Sequence, residues 1–319
     1  MKKSYYPEGA LITTAENTEY ISSIGGLERA FVEGRILESI VTLCDSSLRL
    51  HVSLGDTYGI MEKEECVFCR SGEAIKDIAI ITRVGKPVAF KITGFQKING
   101  KIVAILSRKA AQQECQKNFI SLLSPGDIIP AKVTHLESFG AFVDIGCGLS
   151  SLLTVDSISV SRISHPKDRL SVGQSVFVVV KPTDISSDRI YVSMKELLGT
   201  WEENASMFEV GQTVPGIVRS IEDYGIFVEL SPNLAGLAEL RADSRDTDIP
   251  LPGSTVAVYI KSILPDRMKI KLVLIDDYRG AHPDTKLHYF IDVSQKNHIS
   301  SWRYSPPSAP KIIQSIFDK

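Results

Sequence analysis

Short runs of alternating or β-branched apolar residues, punctuated by Gly, Asp and Pro, recur along the chain and predict strands rather than long helices. The clearest is Gly140-Ala141-Phe142-Val143-Asp144-Ile145. A period of two places Ala141, Val143 and Ile145 on one face and Phe142 with Asp144 on the other, the wet side. The pattern returns 85 positions later, where Ile226, Val228 and Leu230 share a face and Phe227 lies beside Glu229 on the opposite one. Two stretches break the period: Arg108 to Leu123, rich in Ala, Gln, Glu and Lys without Gly or Pro, predicts a connecting helix, and Lys195 to Phe208 is a similar spacer.

The repeat is a whole unit. Pro125 to Val133 aligns with Val210 to Val218, Glu137 to Ile145 with Glu222 to Leu230, and each copy continues through Gly173 to Val180 or Gly253 to Ile260 into a last strand. A weaker copy precedes them, in Gly34 to Leu37, Leu48 to Gly55, Gly85 to Ile92 and Gly100 to Leu106, with Leu48 and His51 at the ring positions. Five short strands with a longer stretch before the fourth predict a small β-barrel of the OB type. The expected fold is mainly β: three tandem five-stranded OB-fold barrels joined by short helices, the first copy degenerate. The boundaries read as an N-terminal extension (1–33), a degenerate repeat (34–107), a helical linker (108–123), a second repeat (124–197), a linker (198–208), a third repeat (209–275) and a C-terminal extension (276–319).

An exposed ring on the second strand of such a barrel is where an unpaired base stacks. The alternative is that Phe142 and Phe227 pack under the long connection or against a neighbouring unit. Strict parity turns Phe139 and Tyr224 inward, and only a bulge or tight turn at Gly140 or Gly225 swings them out; both arrangements are open at this level.

Composition narrows the class. The 319 residues, 43% hydrophobic and 23% charged, fit two or three ordinary globular domains. No apolar run approaches a membrane span, and the start lacks the apolar core of a signal peptide, so the expectation is a cytoplasmic protein without a membrane. Five cysteines at odd count read as free thiols. A net charge of −2 gives no global footprint of phosphate binding, so any nucleic-acid reading rests on local features. Residues 124–197 hold seven basic against eight acidic side chains and 198–275 seven against eleven, favouring the second unit. Its loop Ser161 to Lys167, with Arg162, His165 and Lys167, is either a phosphate contact or a solvated loop.

Taken together, Gly126-Asp127, Lys132-Val133, Phe139-Gly140-Ala141-Phe142-Val143-Asp144, Val172-Gly173-Gln174 and Arg189-Ile190-Tyr191-Val192-Ser193-Met194-Lys195 resemble the S-one type RNA-binding domain, named after the largest protein of the bacterial small ribosomal subunit. The three-unit arrangement, from Gly34 to Leu274, resembles the short bacterial homologues of that protein. The resemblance implies single-stranded RNA binding through Phe139, Phe142, Asp184 and Arg189; Lys132 and the basic-loop residues Arg162 and His165 are further candidate RNA contacts. Thr154 stands where the family usually has His, which removes one stacking or hydrogen-bonding group. In the third unit Tyr224 and Phe227 are kept, Glu239 takes the His position, the Asp is lost near Leu264, and Lys269 replaces the Arg.

No catalytic constellation emerges: there is no phosphate-cradling Gly loop, nucleophile elbow or paired histidine spacing. Cys66 and Cys69 have ligand spacing without a second pair; Cys44 and His51 would have to complete a metal site. No cofactor, metal or small-molecule substrate is expected. Leu287 to Ile291 reads as a strand, and Trp302 to Pro307 as an aromatic turn packing on the third unit, with Trp302 a further stacking candidate. The expected function is non-enzymatic binding of single-stranded RNA, mRNA, in translation, with ribosome association and small-subunit proteins as partners. The alternatives are a protein-interaction scaffold of OB-fold modules, or an RNA-binding accessory to a nuclease or transcription complex.

Overall fold

Two capped helices precede the first barrel in the computed structural model, which describes residues 5–69, 74–182, 190–239, 250–277 and 287–318. Thr14 N-caps α1 (Ala15–Ile21) and Ser23 N-caps α2 (Ile24–Glu33), each hydroxyl accepting from an otherwise orphaned N–H, at Asn17 and Gly26. Gly34 ends α2 in the left-handed region at φ 62°, a conformation that glycine adopts without a Cβ penalty.

The first barrel follows: β1 (Leu37–Cys44), β2 (Leu50–Leu54), β3 (Thr57–Met61), the short α3 (Asp77–Ile81), β4 (Pro87–Ile98) and β5 (Lys101–Ser107). The strands close in the order β1-β2-β3-β5-β4, with β3 and β5 parallel and β1 meeting β4 antiparallel. Leu50, Val52, Leu54, Phe90 and Leu106 fill it, and Tyr20, Leu27 and Ala30 of the N-terminal helices join that core.

The predicted connecting helix is α4 (Arg108–Asn118), continued by a 3-10 turn at Ile120–Leu122. The second barrel comprises β6 (Ile128–Glu137), β7 (Gly140–Asp144), β8 (Ser150–Thr154), α5 (Val155–Ile158), β9 (Ser175–Val180) and β10 (Tyr191–Ser193). Its closed order is again first-second-third-fifth-fourth, with β8 and β10 parallel. After α6 (Trp201–Ala205), the third barrel repeats the order with β11 (Thr213–Glu222), β12 (Gly225–Ser231), β13 (Leu234–Ala238), β14 (Thr255–Leu264) and β15 (Lys269–Asp277). The chain is therefore mainly β, built of three five-stranded barrels of OB topology.

A C-terminal pair, β16 (Ser301–Arg303) and β17 (Gln314–Ile316), forms a separate two-stranded sheet. Trp302 and Tyr304 are buried in a core shared with Trp201 of α6 and with Val228, Leu234 and Leu272 of the third barrel. That burial corrects the stacking reading of Trp302. Leu287 to Ile291 is not a strand: its polar groups bond outward, the Phe290 N–H to Leu197 O at 3.0 Å and the Tyr289 hydroxyl accepting from the Phe177 N–H at 3.0 Å, so no ladder forms.

By internal contacts the chain divides into two units. One holds residues 1–123, 130–132 and 143–150; the other holds 124–129, 133–142 and 151–319.

Candidate nucleic-acid interface

A two-residue turn, Ser138-Phe139, joins β6 to β7, and Asp223-Tyr224 joins β11 to β12 in the same way. The turn overrides strand parity. Phe139 and Tyr224 stand 54% and 63% exposed, while Phe142 and Phe227, three residues on, are half-buried. In the second barrel the Phe139 and Phe142 rings meet edge to face, centroids 6.1 Å apart at 90°. In the third, Tyr224 and Phe227 repeat the arrangement at 6.2 Å and 88°. This is the favoured quadrupolar geometry, and it fixes each pair as an angled platform without sinking it into the core.

The glycine after the first ring has a steric reason. A Cβ on Gly140 would lie 2.5 Å from Leu153 O, and one on Gly225 2.7 Å from Ala238 O, so each glycine lets the third strand's backbone approach the second. Phe139 is tied on the same side: its carbonyl accepts the Val155 N–H at 3.0 Å, at the start of α5.

His135 is a neighbour that sequence reading missed. Its ring stacks on Phe142 at 6.4 Å and 29°, and its Nε2 lies 2.7 Å from Glu137 Oε1. Strict parity sets it on the face of Val133, which is buried, yet His135 is exposed. The equivalent first strands of the other barrels carry register irregularities, between Val41 and Leu43 in β1 and between Val218 and Ser220 in β11.

Thr154, at the end of β8, N-caps α5 in position, and its hydroxyl lies 2.9 Å from Ser157 Oγ. A hydrogen bond from Thr154 holds the Asp156 carboxyl below the usual range, helped by Lys181 and Lys195. Those two lysines reach Ser157 Oγ at 3.2 Å and Asp156 O at 3.3 Å. They make this end of the barrel more basic than the loop count suggested. Arg162 and Lys269 are exposed. His165 is occupied as a cap, its Nδ1 accepting the Lys167 N–H at 3.1 Å, and the Lys132 ammonium donates to Glu8 O at 3.1 Å. Asp184 and Arg189 lie outside the described residues.

The acids beside the rings correct the parity reading. Asp144 and Glu229 do face away from the barrel interiors, yet they are 3% and 4% exposed because other parts of the chain cover them. Asp144 accepts the Glu8 N–H at 2.7 Å and the Gly146 and Gly148 N–H groups at 2.8 and 3.0 Å; burial, with the Glu8 carboxylate nearby, pushes its carboxyl up. Glu229 is clamped by Arg169 and Arg219. Burial alone would raise its carboxyl, but the two guanidiniums outweigh that and hold it below the usual range.

In the first barrel the ring positions carry Leu48, in a turn at φ 61°, and His51, which stacks on Tyr58 at 6.0 Å and sits 3.2 Å from Asp45. Neither of these two positions carries a phenyl ring. Cys66 is buried with its thiol donating to Glu62 O at 3.2 Å, and burial pushes that thiol up to about 12. Among the described residues no cluster of three or more His, Cys, Asp or Glu is arranged to hold a metal, and no helix is long and apolar enough to cross a membrane.

The second barrel matches the family described as S1 RNA binding domain over residues 123–195. Over 242 residues, 71% of this chain, the sequence is 31% identical to the small ribosomal subunit protein bS1 of Staphylococcus aureus, covering 61% of that protein. It is 33% identical over 212 residues to the bS1 of Staphylococcus epidermidis, covering 63% of this chain and 53% of that protein. The chain thus spans roughly half to three fifths of the curated relatives it matches. Among solved structures, a multidomain protein with nucleic acid binding domains from Streptococcus pneumoniae aligns with a TM-score of 0.25 at 14% identity, covering 78% of this chain and 75% of that one. Residues 123–195, the second barrel with its aromatic pair, are thus an S1 RNA-binding domain, and the chain is similar to bacterial ribosomal protein bS1.

Proposed function

We propose that this chain binds single-stranded RNA, mRNA, in translation, without catalysis, and that the second barrel makes the principal contact. The carrying observation is the angled ring pair Phe139–Phe142, held open to solvent by a tight turn and repeated as Tyr224–Phe227. A flat, half-exposed ring offers any base a stacking partner without reading its edge, so the contact is tolerant of sequence. His135 extends the platform on one side. Thr154 lies where the chain past β8 meets Lys181 and Lys195, groups suited to the phosphate path. Arg162 and Lys269 are exposed cations that add to it; Lys132 and His165 contribute less, being engaged within the protein. Asp184 and Arg189 complete the site by resemblance alone.

The small ribosomal subunit, through RNA or proteins, is the partner class that the relatives' name favours. The test is a titration of the full chain with fluorescent single-stranded RNA at two salt concentrations, beside duplex RNA of equal length. The expected result is saturable binding of the single strand, weakened by salt and by Phe142→Ala. Absence of binding at moderate salt, or indifference to Phe142→Ala together with Phe139→Ala, overturns the reading in favour of a protein-interaction scaffold.

A further inference from the structure

A cavity of about 620 Å³ opens in the N-terminal unit, walled by the rings of Tyr5, Tyr6 and Tyr20, the carboxylates of Glu16 and Glu38, and Arg35. Its volume lies in the range of small-molecule sites, and it is far larger than a bare ion needs. The decisive group is Glu38, only 1% exposed. Its Oε2 accepts the N–H groups of Gly9 and Leu11, both at 2.9 Å, whereas no described donor reaches its Oε1. The charges that bear on it most are the carboxylates of Glu8 and Asp144, and burial among them pushes its carboxyl up to about 7.

The cation already in the wall is not free to answer it. Arg35 is committed to Glu16 at 2.8 Å and Glu33 at 2.8 Å, and its guanidinium lies 5.5 Å from the Tyr20 ring centre. A buried carboxylate on a cavity wall is costly unless a cation meets it. The surplus of carboxylates disfavours anions, and tyrosine faces attract alkylammonium groups and cover methylene stems.

We propose that this cavity is a binding site for a small organic polycation of the alkyl di- or polyamine class, with Glu38 Oε1 as the ammonium acceptor and Tyr6 at the rim. Tyr6 is 41% exposed, so it shapes the mouth without supporting the core. The site is independent of the RNA-binding platform and stands or falls separately from it.

The test uses RNA-free full-length chain and spermidine as the probe, followed by isothermal titration calorimetry with magnesium chloride in a parallel arm. One saturable spermidine site is expected, not displaced by magnesium at equal concentration. Glu38→Gln keeps an acceptor for Gly9 and Leu11 while removing the charge, and it weakens binding roughly tenfold or more, the loss of one charge-assisted hydrogen bond. Tyr6→Ala weakens binding several-fold with an unchanged melting temperature, and it decides the matter if Glu38→Gln fails to fold. Lack of saturable binding, displacement by magnesium, or wild-type affinity in the folded variants overturns the proposal.

Discussion

Arg169, in the long third-to-fourth connection of the second barrel, grips both carboxylate oxygens of Glu229 on the second strand of the third, Nη1 to Oε1 at 2.5 Å and Nη2 to Oε2 at 2.8 Å. Both side chains are buried, and Arg219 adds a second guanidinium at 2.7 Å. Such a fork satisfies a carboxylate that the barrel's own strand cannot, and it ties two copies of the repeat through one charge.

Removing one partner leaves the other buried and unpaired. Arg169→Ala is expected to destabilise the C-terminal unit by about 3–5 kcal/mol at most, less in so far as Arg219 still holds Glu229. The two tryptophans, Trp201 and Trp302, both lie in the core around the third barrel, so denaturant unfolding followed by tryptophan fluorescence reads this unit selectively. An unchanged midpoint would show that the fork contributes nothing.

The pH dependence of the same pair has a definite sign. Glu229 is held below its unfolded value, so its contribution is fully present above the unfolded carboxylate range and is lost as pH falls through the lower folded value. Glu229→Gln is therefore expected to be less stable near neutrality and to flatten the acid limb of the tryptophan-monitored unfolding curve. A variant that keeps the wild-type acid limb contradicts this.

Glu38 behaves oppositely. Its folded value near 7 exceeds the ordinary 4.5, so the folded state holds the proton more tightly; the stability this brings is present at low pH and is lost as pH rises through about 7. Glu38→Gln should remove a slope worth of order 2–4 kcal/mol between about pH 4.5 and 7 in the N-terminal unit. Hydrogen exchange of β1 and β4 amides across that range measures it, and a slope that persists in the variant refutes the assignment.

Each ring of the second barrel is expected to be worth about 1–3 kcal/mol of RNA affinity, roughly 5- to 150-fold, on truncation to alanine. Phe139, at 54% exposure, should lose affinity with little change in stability. Fluorescence anisotropy alongside melting separates the two effects. Comparable destabilisation and affinity loss would make Phe139 a packing residue.

Gly140→Ala tests the turn that creates the platform. Its Cβ would meet the Leu153 carbonyl at 2.5 Å, a backbone atom that cannot swing away. A loss of about 1–3 kcal/mol is expected, with RNA affinity falling in parallel because the second and third strands separate beneath the rings. A neutral effect on both would mean that the strands shift without consequence.

Much of this architecture was legible from the chain. The recurrence of Gly, Asp and alternating apolar residues at one offset announced three barrels, and parity located the outward face of Phe142 and Phe227 because strand periodicity is a local, two-residue property. The turn-borne rings Phe139 and Tyr224 were undecided, since a tight turn breaks the period on which the reading depends. His135 was missed because its place beside Phe142 is a contact between two neighbouring strands, which the spacing of histidines along the chain does not show.

What the sequence by itself determined is therefore the repeat, the barrel topology it implies and the aromatic positions, all consequences of short-range pattern. Only the tertiary structure decided which outward-facing groups meet water. Asp144 and Glu229 share the face of the rings yet are buried, because Glu8 and Arg169, 136 and 60 residues away along the chain, close over them. Burial is a property of all the chain that packs nearby, and no two-residue period carries that information.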